Sequence, residues 1–234
     1  MLVLSNGIPK SGSSYLFKLT RDLLKTSINA ENAVREAILK GELEGSDLFV
    51  SNLNDKSLLL LDSISKEFGP LAVKVHEKNL DRFSCFLTQE KIFTPFTYRD
   101  PRDCILSSLD HRARTNGEVF QNYGNVSDAI PNVKSWAKSA VLYLKSDCCA
   151  IKYESLIEFP EQQLMKLAGY FGISVTQAQA EKICLDELES RKKGTRQFNT
   201  GLKNRYIHEM TSSDIDKCNI EMRDVILTLG YSLS

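Results

Sequence analysis

Residues 2–16 read Leu2-Val-Leu-Ser-Asn-Gly7-Ile-Pro-Lys10-Ser-Gly12-Ser-Ser14-Tyr15-Leu16. An apolar run gives way to Gly, Pro, Lys, Gly and Ser, and then to a pattern that reads as helix. The order is strand, turn, helix N-terminus. Backbone N–H groups of such a turn point inward, and the unpaired N–H groups of the helix's first turn join them. Ser11, Ser13 and Ser14 add hydroxyl donors, and Lys10 adds a full positive charge. The expected product is a cradle for a phosphate or a phosphate-like group. The spacing Gly7-x4-Gly12 is that of a Walker A loop, yet Ser13 stands where that motif requires lysine. The lysine sits inside the turn instead, at position 10. The plain alternative is a Ser/Gly-rich structural turn.

Outward from this loop, the 234 residues suit one α/β domain or two small ones. No repeat, low-complexity tract or Pro/Gly/Ser-rich linker divides them, so residues 1–234 are expected to form one domain. Thirty basic and thirty acidic residues cancel, so anion binding must come from local clusters and nothing in the bulk points to nucleic acid or an anionic membrane. The six cysteines form no CxxC pair and no metal-ligand spacing with histidine, which suits reduced thiols and no metal site. The first strand begins at residue 2, leaving no room for a leader or anchor before it, and no later apolar run reaches membrane-spanning length. A cytoplasmic location is the expectation.

Apolar spacing predicts a helix from Tyr15 to Leu24, a second from Ala30 to Lys40, and a third from Asp55 to Phe68 stopped by Gly69-Pro70. Asp47 to Ser51 reads as a short strand or buried turn, Leu71 to Val75 as a strand, and Ile92 to Tyr98 as β-rich. A helix follows from about Asp100 to Arg114. Asn116 to Pro131 lacks periodicity and reads as a mobile loop, with a helix then running from Val133 to Lys145. Cys149 to Tyr153 reads as a buried strand, with two or three helices to about residue 190 and one closing helix from Ser213 to Leu229. Strands alternating with helices predict a three-layer α/β fold, its central sheet mostly parallel and flanked by helices. Ligands in such sheets bind at the carboxyl ends of strands. Lys10, His76 and Arg99 each follow a predicted strand, so three separate stretches should meet along one edge.

The second stretch with chemistry is Thr97-Tyr-Arg99-Asp100-Pro101-Arg102-Asp103-Cys-Ile-Leu-Ser107-Ser108. Arg99 ends a strand, and its planar donor fork suits a phosphate, with charge-assisted bonds worth about 1.5–3 kcal/mol each. Arg102 and Asp103 read as a helix-start ion pair. The third is Leu71-Ala-Val-Lys74-Val-His76, where an imidazole at a strand end suits a general base near neutrality. Glu77 is a rival carboxylate, and His111 and His208 have weaker claims. The fourth is Arg191-Lys192-Lys193-Gly194 with Gly201-Leu-Lys203-Asn204-Arg205-Tyr206, a basic Gly-containing segment.

Together these stretches resemble the sulfotransferases that use 3'-phosphoadenosine-5'-phosphosulfate (PAPS), whose fold is P-loop-like. Pro9 to Tyr15 resembles that family's Pro-Lys-Ser-Gly-Thr-Thr-Trp loop, which holds the 5'-phosphosulfate. The resemblance makes Lys10, Ser11, Gly12, Ser13, Ser14 and Tyr15 donor-binding residues, Tyr15 standing where the family has the adenine-stacking Trp. It makes Arg99 and Ser107 the 3'-phosphate grip, and His76 the base that deprotonates the acceptor, with Lys74 assisting on the sulfuryl side. Lys192, Lys193 and Gly194 resemble the segment that closes over the 3'-phosphate, although Leu202 replaces a usual Trp and the spacer is longer. Ile151 to Glu161 and Phe171-Gly172 resemble the family's Tyr-Glu-Asp-Leu segment, where Tyr153-Glu154 would pack and orient the donor-side loops.

The implied activity is in-line transfer of a sulfuryl group from PAPS to an acceptor hydroxyl or amine, releasing 3'-phosphoadenosine-5'-phosphate (PAP), with no metal. The acceptor would be a small molecule or a glycan, with specificity in residues 28–56 and 110–132, where Phe49, Phe120 and Tyr123 would line a pocket. The dimer motif of many cytosolic members is not evident after Lys203, so oligomeric state stays open. Two other readings stand beside this one: a P-loop nucleotide kinase, and a catalytically silent PAP-binding protein.

Overall fold

The computed structural model describes residues 1–79, 92–192 and 201–233. A six-stranded sheet lies at its centre: β1 (Leu2–Gly7), β2 (Gly45–Ser46), β3 (Phe49–Val50), β4 (Leu71–Val75), β5 (Phe96–Tyr98) and β6 (Ala150–Lys152), in the order β2-β3-β4-β1-β5-β6. All pairs are parallel except β2 with β3. β1 is central and every one of its residues is buried. It pairs with β4 from Leu2↔Leu71 to Ser5↔Lys74, and then with β5 through Asn6↔Phe96 and Gly7↔Thr97. The two neighbours of β1 therefore part at its carboxyl end, which opens a crevice there.

Strand alternation sorts the core into two layers. Leu2, Leu4, Val73 and Phe96 face one side, covered by α2 (Ile28–Leu39), α3 (Asp55–Phe68), α4 (Pro101–Arg114) and α5 (Val126–Leu144), with α10 (Ser212–Glu221) and α11 (Arg223–Thr228) joining them. Val3, Ala72 and Ile151 face the other, covered by α1 (Ser13–Leu24), α6 (Tyr153–Glu158), α7 (Pro160–Phe171) and α8 (Gln177–Lys192). A short α9 (Tyr206–Glu209) precedes α10. The expected three-layer α/β fold is the one found. Truncating a buried leucine such as Leu4 in a layer of this kind costs about 2–5 kcal/mol, because the cavity left behind adds to the lost transfer energy.

The third helix has the predicted bounds, and its start is explained by a capping box. The Asn54 side chain accepts from the Ser57 N–H at 3.0 Å, and the Ser57 hydroxyl accepts from the Asn54 N–H at 2.7 Å. Two expectations are corrected. Residues 126–131, read as loop, belong to α5: the Asn125 side chain caps it, accepting from the Asp128 N–H at 3.1 Å, and Pro131 lies inside the helix. The weak periodicity of this stretch hid a capped, well-packed helix turn in which Val126, Ala129, Ile130 and Val133 are all buried. The single closing helix is instead two, broken at Met222, whose side chain is buried in the core.

Candidate active site

The loop after β1 is built by its glycines and serines. A Cβ on Gly7 would lie 2.2 Å from the Thr97 hydroxyl oxygen, so β1 and β5 approach this closely only with glycine there. Gly12 has φ +85°, and a Cβ there would meet the Tyr153 ring at 2.7 Å. Lys10, at φ +70°, is in the left-handed region although it is not glycine. Ser11 turns inward: its hydroxyl donates to the Ile8 carbonyl at 2.7 Å and lies 2.8 Å from the Thr97 hydroxyl, and its N–H donates to the Ile8 carbonyl at 3.1 Å. The donor role expected of the Ser11 hydroxyl is thus displaced by a bracing one. The amides of Gly12, Ser13 and Ser14 meet no acceptor among the described residues, and α1 has neither a side-chain cap nor an acidic residue in its first turn. A helix start left this way is an anion site in waiting.

Two lysines lean on that site. The Lys74 ammonium donates to the Ser14 hydroxyl at 2.9 Å, and burial pushes its pKa down to about 8. Lys10 is also pushed down to about 8, by burial first, then by the positive charges of Arg114, Lys74 and Arg99. Several positive charges crowd together here, and an anion would relieve them.

His76 follows β4 directly, with its Nδ1 2.8 Å from the Gly7 carbonyl oxygen. A carbonyl only accepts, so Nδ1 carries the proton and Nε2 keeps its lone pair. Burial, then Lys74 and Lys10, push the imidazole down to about 4. Phe49 and Trp136 flank the ring edge-on, with centroids at 5.5 and 6.1 Å. The rival Glu77 carboxylate accepts from the Asn79 N–H at 3.1 Å. His111, on α4, is also held near 4, by burial and then by Lys10, Arg114 and Lys74, and its ring meets Phe120. His208 is exposed on α9.

Arg99 is 4% exposed and sits beside the loop. Its guanidinium donates to the Asp103 carboxylate at 2.9 Å, to the Leu202 carbonyl at 2.7 Å and to the Lys10 carbonyl at 3.5 Å, and lies 4.1 Å from the Tyr153 ring centre. Its buried Nε has no partner among the described residues. Ser107, two helical turns on, is buried. Arg102 and Asp103 do not pair with each other as expected. Arg102 clasps Asp100 through two bonds (3.0 and 2.7 Å), and Asp103 takes Arg99 and the Tyr206 N–H. Arg99 and Asp103 lie four residues apart across the start of α4, and their pairing leaves Asp100 to Arg102.

Lys10, Ser14, Lys74, His76 and Arg99 thus gather at the carboxyl ends of β1, β4 and β5: Lys74 bonds Ser14, His76 bonds the Gly7 carbonyl, and Arg99 reaches the Lys10 carbonyl. Tyr15 is half-buried against the α1 and α7 layer. Lys192 ends α8, and Lys193 and Gly194 lie outside the described residues. Among the described residues, Phe120 and Tyr123 stack on each other at 5.1 Å, and Tyr123 is buried in the core.

The sulfotransferase domain model matches residues 3–224 of the chain. This chain belongs to the sulfotransferase domain family. Solved structures show the same fold. The mouse sulfotransferase SULT7A1 complexed with PAP has a TM-score of 0.63 at 15% identity, over 97% of this chain and 86% of that one. Retinol dehydratase in complex with retinol and PAP has 0.62 at 15% identity, over 96% and 81%. Retinol dehydratase in complex with androsterone and inactive cofactor PAP has 0.64 at 15% identity, over 96% and 80%. No curated protein sequence matches the chain.

For a sulfotransferase-family chain, Thr97 and the Leu202 backbone have roles that the motifs did not assign. Thr97 ties β5 to the loop through Ser11 and packs on Gly7. The Leu202 carbonyl, not its side chain, reaches Arg99, so the loss of the usual ring leaves that backbone contact intact. Arg205, in the same segment, is paired with Asp110 and Glu209. No helix among the described residues is long and apolar enough to cross a membrane, and no group of three or more metal-capable side chains occurs among them.

Proposed function

We propose that this chain transfers a sulfuryl group from PAPS to an acceptor hydroxyl or amine and releases PAP, with His76 as the base. The observation that carries it is the pairing of an uncapped helix start, with Lys74 bonded to its Ser14, and an imidazole whose Nδ1 is held by the Gly7 carbonyl of the same loop. The residues fit the donor. Gly12, Ser13 and Ser14 amides with Lys10 would hold its 5' end, and the orphaned Arg99 Nε and the Ser107 hydroxyl would take its 3'-phosphate. Tyr15 would stack on the base, and Lys192 to Gly194 would close over it. Solved members of the fold that carry PAP support this reading.

When bound, PAPS supplies an activated sulfuryl group with a phosphate as its leaving end. The chain's own residues do the rest. Lys10 and the loop amides stabilise charge on the oxygen left behind. Lys74 holds the sulfuryl side, and His76 Nε2 takes the acceptor's proton while the Gly7 carbonyl keeps Nδ1–H in place. Residues 1–234 act as one domain. The acceptor is a small molecule or a glycan, and the Phe49 and Trp136 rings beside His76 favour one with an apolar frame.

Thermal-shift titration tests this first. PAP is expected to raise the melting temperature more than AMP, which lacks the 3'-phosphate, and more than ATP with magnesium; 100 Kd of PAP stabilises by about 2.7 kcal/mol. A larger response to ATP would turn the reading towards a kinase. Labelled PAPS with a panel of phenols, alcohols, amines and sugars then separates an enzyme from a silent PAP binder.

A further inference from the structure

We propose that Asn6 is the positioning residue of His76, its carboxamide rather than the sheet fixing where Nε2 points. This rests on the reading of His76 as the base. The β1–β4 ladder stops at Ser5↔Lys74, and β1 then turns to β5, so no rung from β1 reaches the chain around His76. The Asn6 side chain supplies the missing rung. It is fully buried, and its Oδ1 accepts from the Gly7 N–H at 2.8 Å and the Glu77 N–H at 3.1 Å. Its Nδ2 donates to the Glu77 carbonyl at 2.9 Å and to the Tyr143 hydroxyl at 2.7 Å. The Tyr143 hydroxyl donates in turn to the Glu77 carbonyl at 2.7 Å.

Both donors and both acceptor sites of the carboxamide are therefore used. They grip two residues only, apart from Tyr143: Gly7, whose carbonyl takes the imidazole proton, and Glu77, the covalent neighbour of His76. The ring is suspended between these two grips. A buried asparagine needed merely to fill space would have no reason to hold both ends of one histidine. Tyr143 is the second support, with its ring stacked on Phe96 at 4.0 Å, so Tyr143→Phe removes the hydroxyl and keeps the stack.

The test reads the imidazole directly. Nitrogen NMR of the full chain, with histidines labelled and His76 assigned by its loss in His76→Ala, reports tautomer and titration with PAP bound. The wild-type ring is expected to be Nδ1-protonated. In Asn6→Ala the tautomers should mix, with titration moving about one pH unit towards the ordinary imidazole range. Tyr143→Phe should move the same way by less. The melting-temperature rise caused by PAP should persist in both, because neither residue touches the donor cradle. Wild-type signals in both variants would overturn the proposal; if Asn6→Ala does not fold, Tyr143→Phe alone decides it. Turnover of labelled PAPS by His76→Ala is a separate reading: full turnover there removes His76 as base without bearing on the clamp.

Discussion

His76→Ala is expected to lower kcat by about 10²–10⁴-fold, the usual worth of a positioned general base. The PAP-induced rise in melting temperature should be unchanged, because the ring contacts the Gly7 carbonyl and two aromatic edges but none of the loop amides. His76→Gln, which cannot take a proton, should lose nearly as much. The pH profile offers an independent check. Burial, then Lys74 and Lys10, hold the ring near 4, so the free enzyme keeps it neutral through the physiological range. The acid limb of kcat/KM for PAPS should therefore fall well below the ordinary imidazole value of about 6.5. Bound donor anion favours the imidazolium, so the acid limb of kcat should lie above that of kcat/KM. Unchanged turnover in His76→Ala would remove it from the mechanism and make Glu77→Gln the next variant to measure.

Lys10→Gly is expected to separate stability from activity. The backbone at Lys10 has φ +70°, which glycine adopts freely and lysine at a cost of about 1–3 kcal/mol. Removing the side chain also removes a cation crowded by Lys74, Arg99 and Arg114. The variant should melt at or above the wild-type temperature while kcat drops about 10²–10³-fold, the scale seen when one donor to developing negative charge is deleted. A variant that keeps its turnover would take Lys10 out of the chemistry. Arg99 allows no such clean test. Its removal strands the buried Asp103 carboxylate, and breaking a buried pair costs about 3–5 kcal/mol, so Arg99→Ala would mix lost folding with lost binding.

The strand–loop–helix start, the convergence of residues 10, 76 and 99, and the three layers were legible because each rests on local pattern. Apolar alternation gives strands their faces, and glycine and lysine punctuate the turn. What stayed hidden depends on partners distant in the chain. Ser11 looked like its neighbours Ser13 and Ser14, and only the approach of Thr97 shows that its hydroxyl faces inward. Asn6 reads as one polar residue at a strand end, yet its partners are 71 and 137 residues away. A buried amide in the central strand was the available signal, since such a group must find partners. The exchange of partners among Arg99, Asp100, Arg102 and Asp103 had no sequence signal beyond the i, i+4 spacing of the first and last.

Burial pushes the Lys10 and Lys74 ammonium groups down to about 8, so mildly alkaline surroundings begin to discharge them. If PAP binds as proposed, its negative charge would raise both values, and binding would draw protons from the buffer. Above about pH 7, PAP binding would then be coupled to proton uptake. The heat of PAP binding should depend on the buffer's ionisation enthalpy, and affinity should fade as the medium grows more alkaline.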